Sequence, residues 1–189
     1  GDDFSINFID GVYQITTAKR ASSKTLTVRL EGLDKEYAPE VAYYEAVIET
    51  RGSIIVGLAG PNFQTAIYNT PYYHELGDHA GSWGYDGTRG RKLCCGPTPY
   101  GSRWKVGSVV SVLYNKCNGE IRFGLNGEDL GVAFEVPAGE REEIRPAITI
   151  HNKQSVRLNF GEAPLAYDRL VPRRRSPAEV GREADIGLS

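Results

Sequence analysis

The chain has 189 residues, of which 40% are hydrophobic and 24% charged, with a formal net charge of −2 and a mean hydropathy of −0.37. That length suits one domain with a sizeable core, and the near-neutral charge gives no global electrostatic reason for a nucleic-acid partner. No apolar run approaches the ~20 residues that a membrane span needs, and Gly1-Asp2-Asp3 begins nothing like a signal peptide, so no membrane partner is expected. Three cysteines, Cys94, Cys95 and Cys117, are an odd set with two adjacent members. They make a poor disulfide framework, which points to an intracellular, reducing compartment, cytoplasmic or nuclear. Twenty-two glycines, eleven tyrosines and ten prolines lean towards a turn-rich all-β fold.

In residues 1–42, Asn7-Phe8-Ile9, Val12-Tyr13-Gln14-Ile15 and Thr25-Leu26-Thr27-Val28-Arg29-Leu30 are candidate strands. The third alternates, with Leu26, Val28 and Leu30 on one face. Between them, residues 16–23 are polar and loop-like. The signal sharpens at Tyr43-Tyr44-Glu45-Ala46-Val47-Ile48-Glu49 and Ile54-Ile55-Val56-Gly57-Leu58-Ala59, with Arg51-Gly52-Ser53 as the turn of a hairpin between them. Residues 61–81 then form a long irregular segment that holds Tyr68, Tyr72, Tyr73, His74, Leu76 and His79. Irregular segments of that length inside a compact domain are usually functional or excursions with their own packing.

Ser82-Trp83-Gly84-Tyr85-Asp86-Gly87 is a dense aromatic and glycine cluster, followed by a short strand over Arg91-Lys92-Leu93-Cys94-Cys95 and a turn-rich Gly96-Pro97-Thr98-Pro99-Tyr100-Gly101. Residues 106–114 form a strong β run. Asn118-Gly119 and Asn126-Gly127 then flank the alternating Glu120-Ile121-Arg122-Phe123-Gly124-Leu125, which makes a β-meander. Ile144-Arg145-Pro146-Ala147-Ile148-Thr149-Ile150 and Ser155-Val156-Arg157-Leu158-Asn159-Phe160 are expected to form a final pair around the loop His151-Asn152-Lys153-Gln154. Residues 171–189, with Arg173-Arg174-Arg175-Ser176-Pro177, lack periodicity and read as a flexible basic and polar tail. Many short antiparallel strands without a helical stripe imply an all-β sandwich of two sheets, because each sheet must bury its apolar face against another.

In this order, Tyr43-Tyr44-Glu45, Val56-Gly57-Leu58-Ala59, Ser82-Trp83-Gly84-Tyr85-Asp86-Gly87, Tyr100-Gly101, Val106-Gly107-Ser108-Val109-Val110 (where the family usually has Gly-Asp before its β run), Ile121-Arg122-Phe123-Gly124-Leu125-Asn126-Gly127, Leu130-Gly131-Val132-Ala133-Phe134, Arg145-Pro146-Ala147 and Val156-Arg157-Leu158-Asn159-Phe160-Gly161 resemble a SPRY domain. The resemblance covers residues 43–165. It implies a bent, concanavalin-like β-sandwich of two antiparallel sheets that serves protein–protein recognition and has no enzymatic activity, no cofactor and no metal. It also implies a single monomeric domain over residues 1–170. The pattern is closer to the group in Ran-binding-protein-M-like, SOCS-box and Ash2-like proteins than to the tripartite-motif branch, whose Leu-Asp-Pro motif is absent from residues 1–42.

One SPRY subgroup binds extended peptides through loops at one end of the sandwich. Its Tyr, eleven residues before the Trp of Ser-Trp-Gly, falls on Tyr72. Its Leu position falls on Glu75, with Leu76 next, and its Trp-Gly in the last hairpin loop falls near His151-Asn152, where the Trp is absent. The implied surface is Lys19, Arg20, Tyr72, Tyr73, Leu76, Arg89, Arg91, Tyr100, His151 and Asn152, binding a protein or peptide as part of a larger assembly such as a ubiquitin ligase.

Other chemistries have weaker sequence support. Trp83, Tyr85 and Asp86 could form a sugar platform, and Glu45 with Glu49 a glucanase-like carboxylate pair, which makes a carbohydrate-binding or glycan-hydrolysing sandwich the alternative. Burial of Trp83 in the core and a turn at Asp86-Gly87 is the favoured account of that hexapeptide. His74, His79, Cys94 and Cys95 lack the spacing of a zinc site, and no local signature supports a Cys–His catalytic pair.

Overall fold

The computed structural model describes residues 4–18, 25–30, 36–38, 40–64 and 74–168. Among these residues the chain forms fourteen strands: β1 (Phe4–Ile9), β2 (Val12–Thr17), β3 (Thr25–Arg29), β4 (Glu36–Ala38), β5 (Val41–Ile48), β6 (Ile54–Ala59), β7 (Ser82–Asp86), β8 (Arg91–Leu93), β9 (Pro97–Pro99), β10 (Val109–Asn115), β11 (Glu120–Leu125), β12 (Glu128–Glu135), β13 (Arg145–His151) and β14 (Ser155–Asn159). A 3-10 turn at Ala138–Glu140 is the one helical element among the described residues. All pairings are antiparallel. One sheet runs β1-β2-β14-β5-β10-β11-β12 with β4 also on β5, and the other runs β3-β13-β6-β7-β8-β9. The expected two-sheet β-sandwich is the observed architecture.

Local turn chemistry sets the hairpins. Asp10 and Gly11 (φ 51° and 81°) and Asn126 and Gly127 (φ 51° and 85°) take the left-handed pairs that a two-residue hairpin requires. They join β1 to β2 and β11 to β12, so the β10-β11-β12 meander stands as expected.

Two expected hairpins are not hairpins. β5 pairs with β10, β14 and β4, whereas β6 pairs with β13 and β7, so Arg51-Gly52-Ser53 is an arch between sheets. Likewise β13 lies between β3 and β6, β14 lies between β2 and β5, and residues 152–154 cross from one sheet to the other. A short connection between two apolar runs fits a hairpin or an arch equally well. Here both partners are needed as central strands of opposite sheets.

The main core lies between the sheets, with Tyr44, Ala46 and Ile48 facing Ile54, Val56, Leu58, Trp83 and Tyr85. Both central strands are also covered on their outer faces. Behind β6, Ile55 and Ala59 pack with Leu76, Ala147, Phe63 and Leu93 in a second cluster. Behind β5, the buried Glu45 carboxylate accepts the amides of Ala166 (2.8 Å) and Tyr167 (2.7 Å) and the Tyr43 hydroxyl (3.0 Å). The Tyr43 hydroxyl also lies 2.9 Å from the Tyr167 carbonyl, sharing its one proton among these acceptors, so residues 162–168 form a strap over that face. Double coverage explains why β5 and β6 read as continuous apolar runs instead of alternating.

Candidate functional site

Two arches and two turns converge at one end of the sandwich. Gly52, at φ 139°, is half of the first arch, and a Cβ there would lie 2.3 Å from the Gln154 amide of the second. Glycine is required by both backbone and space. The Ser53 carbonyl accepts the His151 amide at 3.3 Å, which ties the arches together. The Thr88 hydroxyl donates to the Gly52 carbonyl at 3.0 Å, which adds the β7–β8 turn to the same end.

Asp86 organises that turn. Its buried carboxylate accepts the Thr88 amide at 2.9 Å and Arg89 Nη1 at 3.0 Å. The aspartate of the hexapeptide therefore holds loop amides, as expected. Residues 102–108 are fixed beside it. Trp104 donates its amide to the Gly87 carbonyl (2.9 Å), and Gly107 donates to Ile48 (2.7 Å). The Tyr85 hydroxyl donates to the Ser102 carbonyl, and its phenol is pushed far above the usual tyrosine range by burial. The Trp104 ring meets Tyr85 edge-on at 5.0 Å and lies over Gly87, whose absent side chain leaves it room.

These pieces enclose a groove of about 470 Å3 lined by Ile48, Thr50, Arg51, Gly52, Thr88, Arg103, Trp104, Lys105 and Val106. Arg51, Arg103 and Lys105 are exposed, and none has a carboxylate partner among the described residues. Val106 is 46% exposed. The groove thus offers an apolar floor with three cations at its rim.

The structure sorts the expected binding residues. Lys19, Arg20, Tyr72 and Tyr73 lie outside the described residues. Arg89 is exposed on the organising turn beside the groove, and Arg91 is exposed at the start of β8. His151 and Asn152 sit on the second arch, with His151 Nε2 2.9 Å from Glu75 Oε1. Leu76 must be corrected: its side chain is fully buried in the second cluster, so it anchors the long segment from beneath and presents no surface. Tyr100 is also part of the frame. Its ring packs on Tyr85 and Phe123, its hydroxyl donates to Gly131 at 2.8 Å, and burial pushes its pKa up to about 12.

Arg51, Arg103, Trp104, Lys105 and Val106 escaped the sequence reading. The usable signal was Arg103-Trp104-Lys105, an aromatic between two cations directly after a turn-rich stretch. The competing motifs resolve structurally. Trp83 is 4% exposed in the core and offers no sugar platform. Glu45 is bound to the strap, and Glu49 pairs with Arg157 at 2.7 Å and accepts from Gln14 at 2.9 Å. His74 and His79 contact each other at 2.7 Å, and no group of three metal-ligating side chains occurs among the described residues. Cys94 is held as a thiol, its pKa pushed up to about 11 by burial and the neighbouring Cys95.

A profile of the SPRY domain family matches residues 41–163. Over 149 residues, 76% of this chain, the sequence is 31% identical to the E3 ubiquitin-protein ligase RKP of Arabidopsis thaliana, of which 11% is covered. It is 29% identical over 126 residues (66% of this chain) to the ATP-dependent RNA helicase Ddx1 of Drosophila melanogaster, of which 16% is covered. It is 32% identical over 91 residues (46% of this chain) to Ran-binding protein 10 of Danio rerio, of which 14% is covered. The chain therefore matches only a small part of each of these relatives. A crystal structure of a human SPRY domain superposes with a TM-score of 0.63 at 19% identity, covering 87% of this chain and all of that one, which shows the shared fold.

Proposed function

The chain belongs to the SPRY domain family, a family of protein-interaction modules, and from that premise we propose that it is a non-catalytic recognition unit for an extended, acidic segment of a partner protein. What carries this reading is the preformed groove with Trp104 at its floor and, at its rim, Arg51, Arg103 and Lys105, none of which has a carboxylate partner among the described residues. Aromatic and arginine side chains at a concave, rigid site are the usual energetic anchors of an interface, and unpaired cations speed the encounter with an acidic chain. Arg89, Arg91, His151 and Asn152 extend the same end, and Lys19, Arg20, Tyr72 and Tyr73, which the family pattern implies as contacts, lie outside the described residues. In this reading residues 1–170 form the recognition unit, which works intracellularly, and residues 171–189 are a basic tail. The similarity to part of an E3 ubiquitin-protein ligase supports a place as the partner-selecting piece of a larger ligase assembly.

The test is affinity capture from cell lysate with mass spectrometry, comparing the wild type with an Arg51→Glu/Arg103→Glu variant and with His151→Ala. Capture of a specific protein should fall at least tenfold in the double variant and weaken with added salt, with thermal unfolding unchanged. Equal capture by a folded double variant would remove the groove from the interface.

A further inference from the structure

Among the described residues β1 is the outer strand of its sheet, paired with β2 alone, and all six of its residues are exposed. Phe4, Ile6 and Phe8 are 39%, 43% and 54% exposed. They lie opposite Thr17, Ile15 and Tyr13, and Ile15 is fully buried, so the three apolar side chains occupy the core side of the sheet beyond its covered part. The stripe is continuous with the interior: Phe8 meets Tyr13 at 4.6 Å, Tyr13 meets Phe160 at 5.9 Å, and Phe160 stacks on Tyr44 at 5.3 Å.

Free edges of sheets are normally blunted by charge, proline or bulges, because their unpaired backbone groups recruit another strand. Two other edges of this protein follow that rule. β9 carries Pro97 and Pro99, and β12 carries Glu128, Asp129 and Glu135 with register shifts. β1, Phe-Ser-Ile-Asn-Phe-Ile, has no charge and no proline, and its register with β2 is unbroken.

The backbone adds a second constraint. In a two-residue hairpin the residues flanking the turn are a hydrogen-bonded pair, here Ile9 and Val12. Alternation then commits Ser5, Asn7 and Ile9 to β2 and turns the N–H and C=O groups of Phe4, Ile6 and Phe8 outwards. The residues whose backbone groups point away from β2 are the same residues that carry the apolar stripe.

We propose that β1 is a homodimerisation edge whose partner is β1 of a second copy, paired antiparallel about Ile6. The sequence around that centre is self-complementary. Phe4 falls opposite the second copy's Phe8, Ile6 opposite its own counterpart, and Ser5 opposite Asn7. All three apolar rungs use the outward backbone groups, and the apolar side chains of both copies share one face. A two-fold axis demands this self-match, whereas a strand from an unrelated protein would not require it. Six residues a side bury less than the ~800 Å2 per partner of a standard stable interface, so the association is reversible. It replaces the monomeric state expected from the sequence, and it uses an edge separate from the proposed groove.

Sedimentation equilibrium from micromolar to millimolar concentration should show the average mass rising from 20.8 kDa towards twice that value. Ile6→Lys should stay monomeric with the same unfolding temperature, since residue 6 is exposed. The register is tested in a background with Cys94, Cys95 and Cys117 changed to serine. Ile6→Cys should cross-link to itself on oxidation, whereas Ser5→Cys and Asn7→Cys should cross-link only when mixed. A wild type that remains monomeric throughout, an Ile6→Lys variant that associates equally, or self-linkage of Ser5→Cys matching that of Ile6→Cys would overturn the proposal. So would a wild type that stays monomeric alone but pairs this edge with a strand of another protein.

Discussion

Replacing Gly87 by alanine tests how the fold builds the groove. A Cβ at this position would lie 2.0 Å from Trp104 Cε3 and 2.2 Å from Cδ2, far inside van der Waals contact. The obstacle is a ring held at its backbone by the bond from the Trp104 amide to Gly87, so the indole must swing away from Tyr85. Losing the edge-on Tyr85–Trp104 pair costs about 0.5–1.5 kcal/mol, and forcing a methyl into a filled site costs about 1–3 kcal/mol. Together these predict roughly 2–4 kcal/mol, or a fall in Tm of roughly 5–15 °C for a domain of this size. Thermal unfolding by circular dichroism measures the loss, and tryptophan emission assigns it. Trp83 is buried in β7, so a red shift absent from a Gly87→Ala/Trp104→Phe double variant belongs to Trp104. Partner capture should fall in parallel, because the floor of the groove has moved. Wild-type Tm and emission in Gly87→Ala would refute the claim that this glycine exists to seat Trp104.

Glu45→Ala should cost about 2–4 kcal/mol, because it takes the carboxylate acceptor from the Ala166 and Tyr167 amides and removes one partner of the Tyr43 hydroxyl. Hydrogen exchange at Ala166 and Tyr167 should accelerate sharply, and unchanged protection there would show that the carboxylate does not hold the strap. Leu76→Ala, at a fully buried site, should cost about 2–5 kcal/mol in urea unfolding, whereas an exposed contact residue would cost almost nothing. Burial raises the pKa values of Tyr100 and Tyr114 to about 12, above their unfolded value near 10. The neutral phenols therefore contribute stability that is complete below pH ~10 and is lost as pH rises towards 12. Absorbance at alkaline pH should show a late class of tyrosines that ionises together with unfolding, and full titration near pH 10 in the folded state would contradict this burial.

Particular residues show what was legible in the chain. Asn126-Gly127 specifies a hairpin by itself, since both positions need a left-handed backbone, and the alternation of Ile121, Phe123 and Leu125 then orients β11. The hexapeptide 82–87 was readable as a structural landmark because its spacing is shared across a family. Leu76 shows the opposite case. In a tyrosine-rich irregular segment it looks like a surface contact, and only its packing against Ile55 and Ala59 of β6 and Ala147 of β13 buries it. Arg51 is far in sequence from Trp104 and Lys105, and they become a groove because a two-sheet arch brings residues 50–52 against residues 103–106.

By itself, then, the sequence determined what local backbone chemistry and side-chain period can determine: all-β character, the meander and its tight turns, the family, and Asp86 as a holder of loop amides. The tertiary structure decided which sheet each strand joins, so that Arg51-Gly52-Ser53 and residues 152–154 became arches. It also decided which outer faces are covered and which cations lack a carboxylate partner among the described residues. Those outcomes depend on contacts between residues distant along the chain, and an apolar run buried on both faces carries no local mark of the partners that bury it.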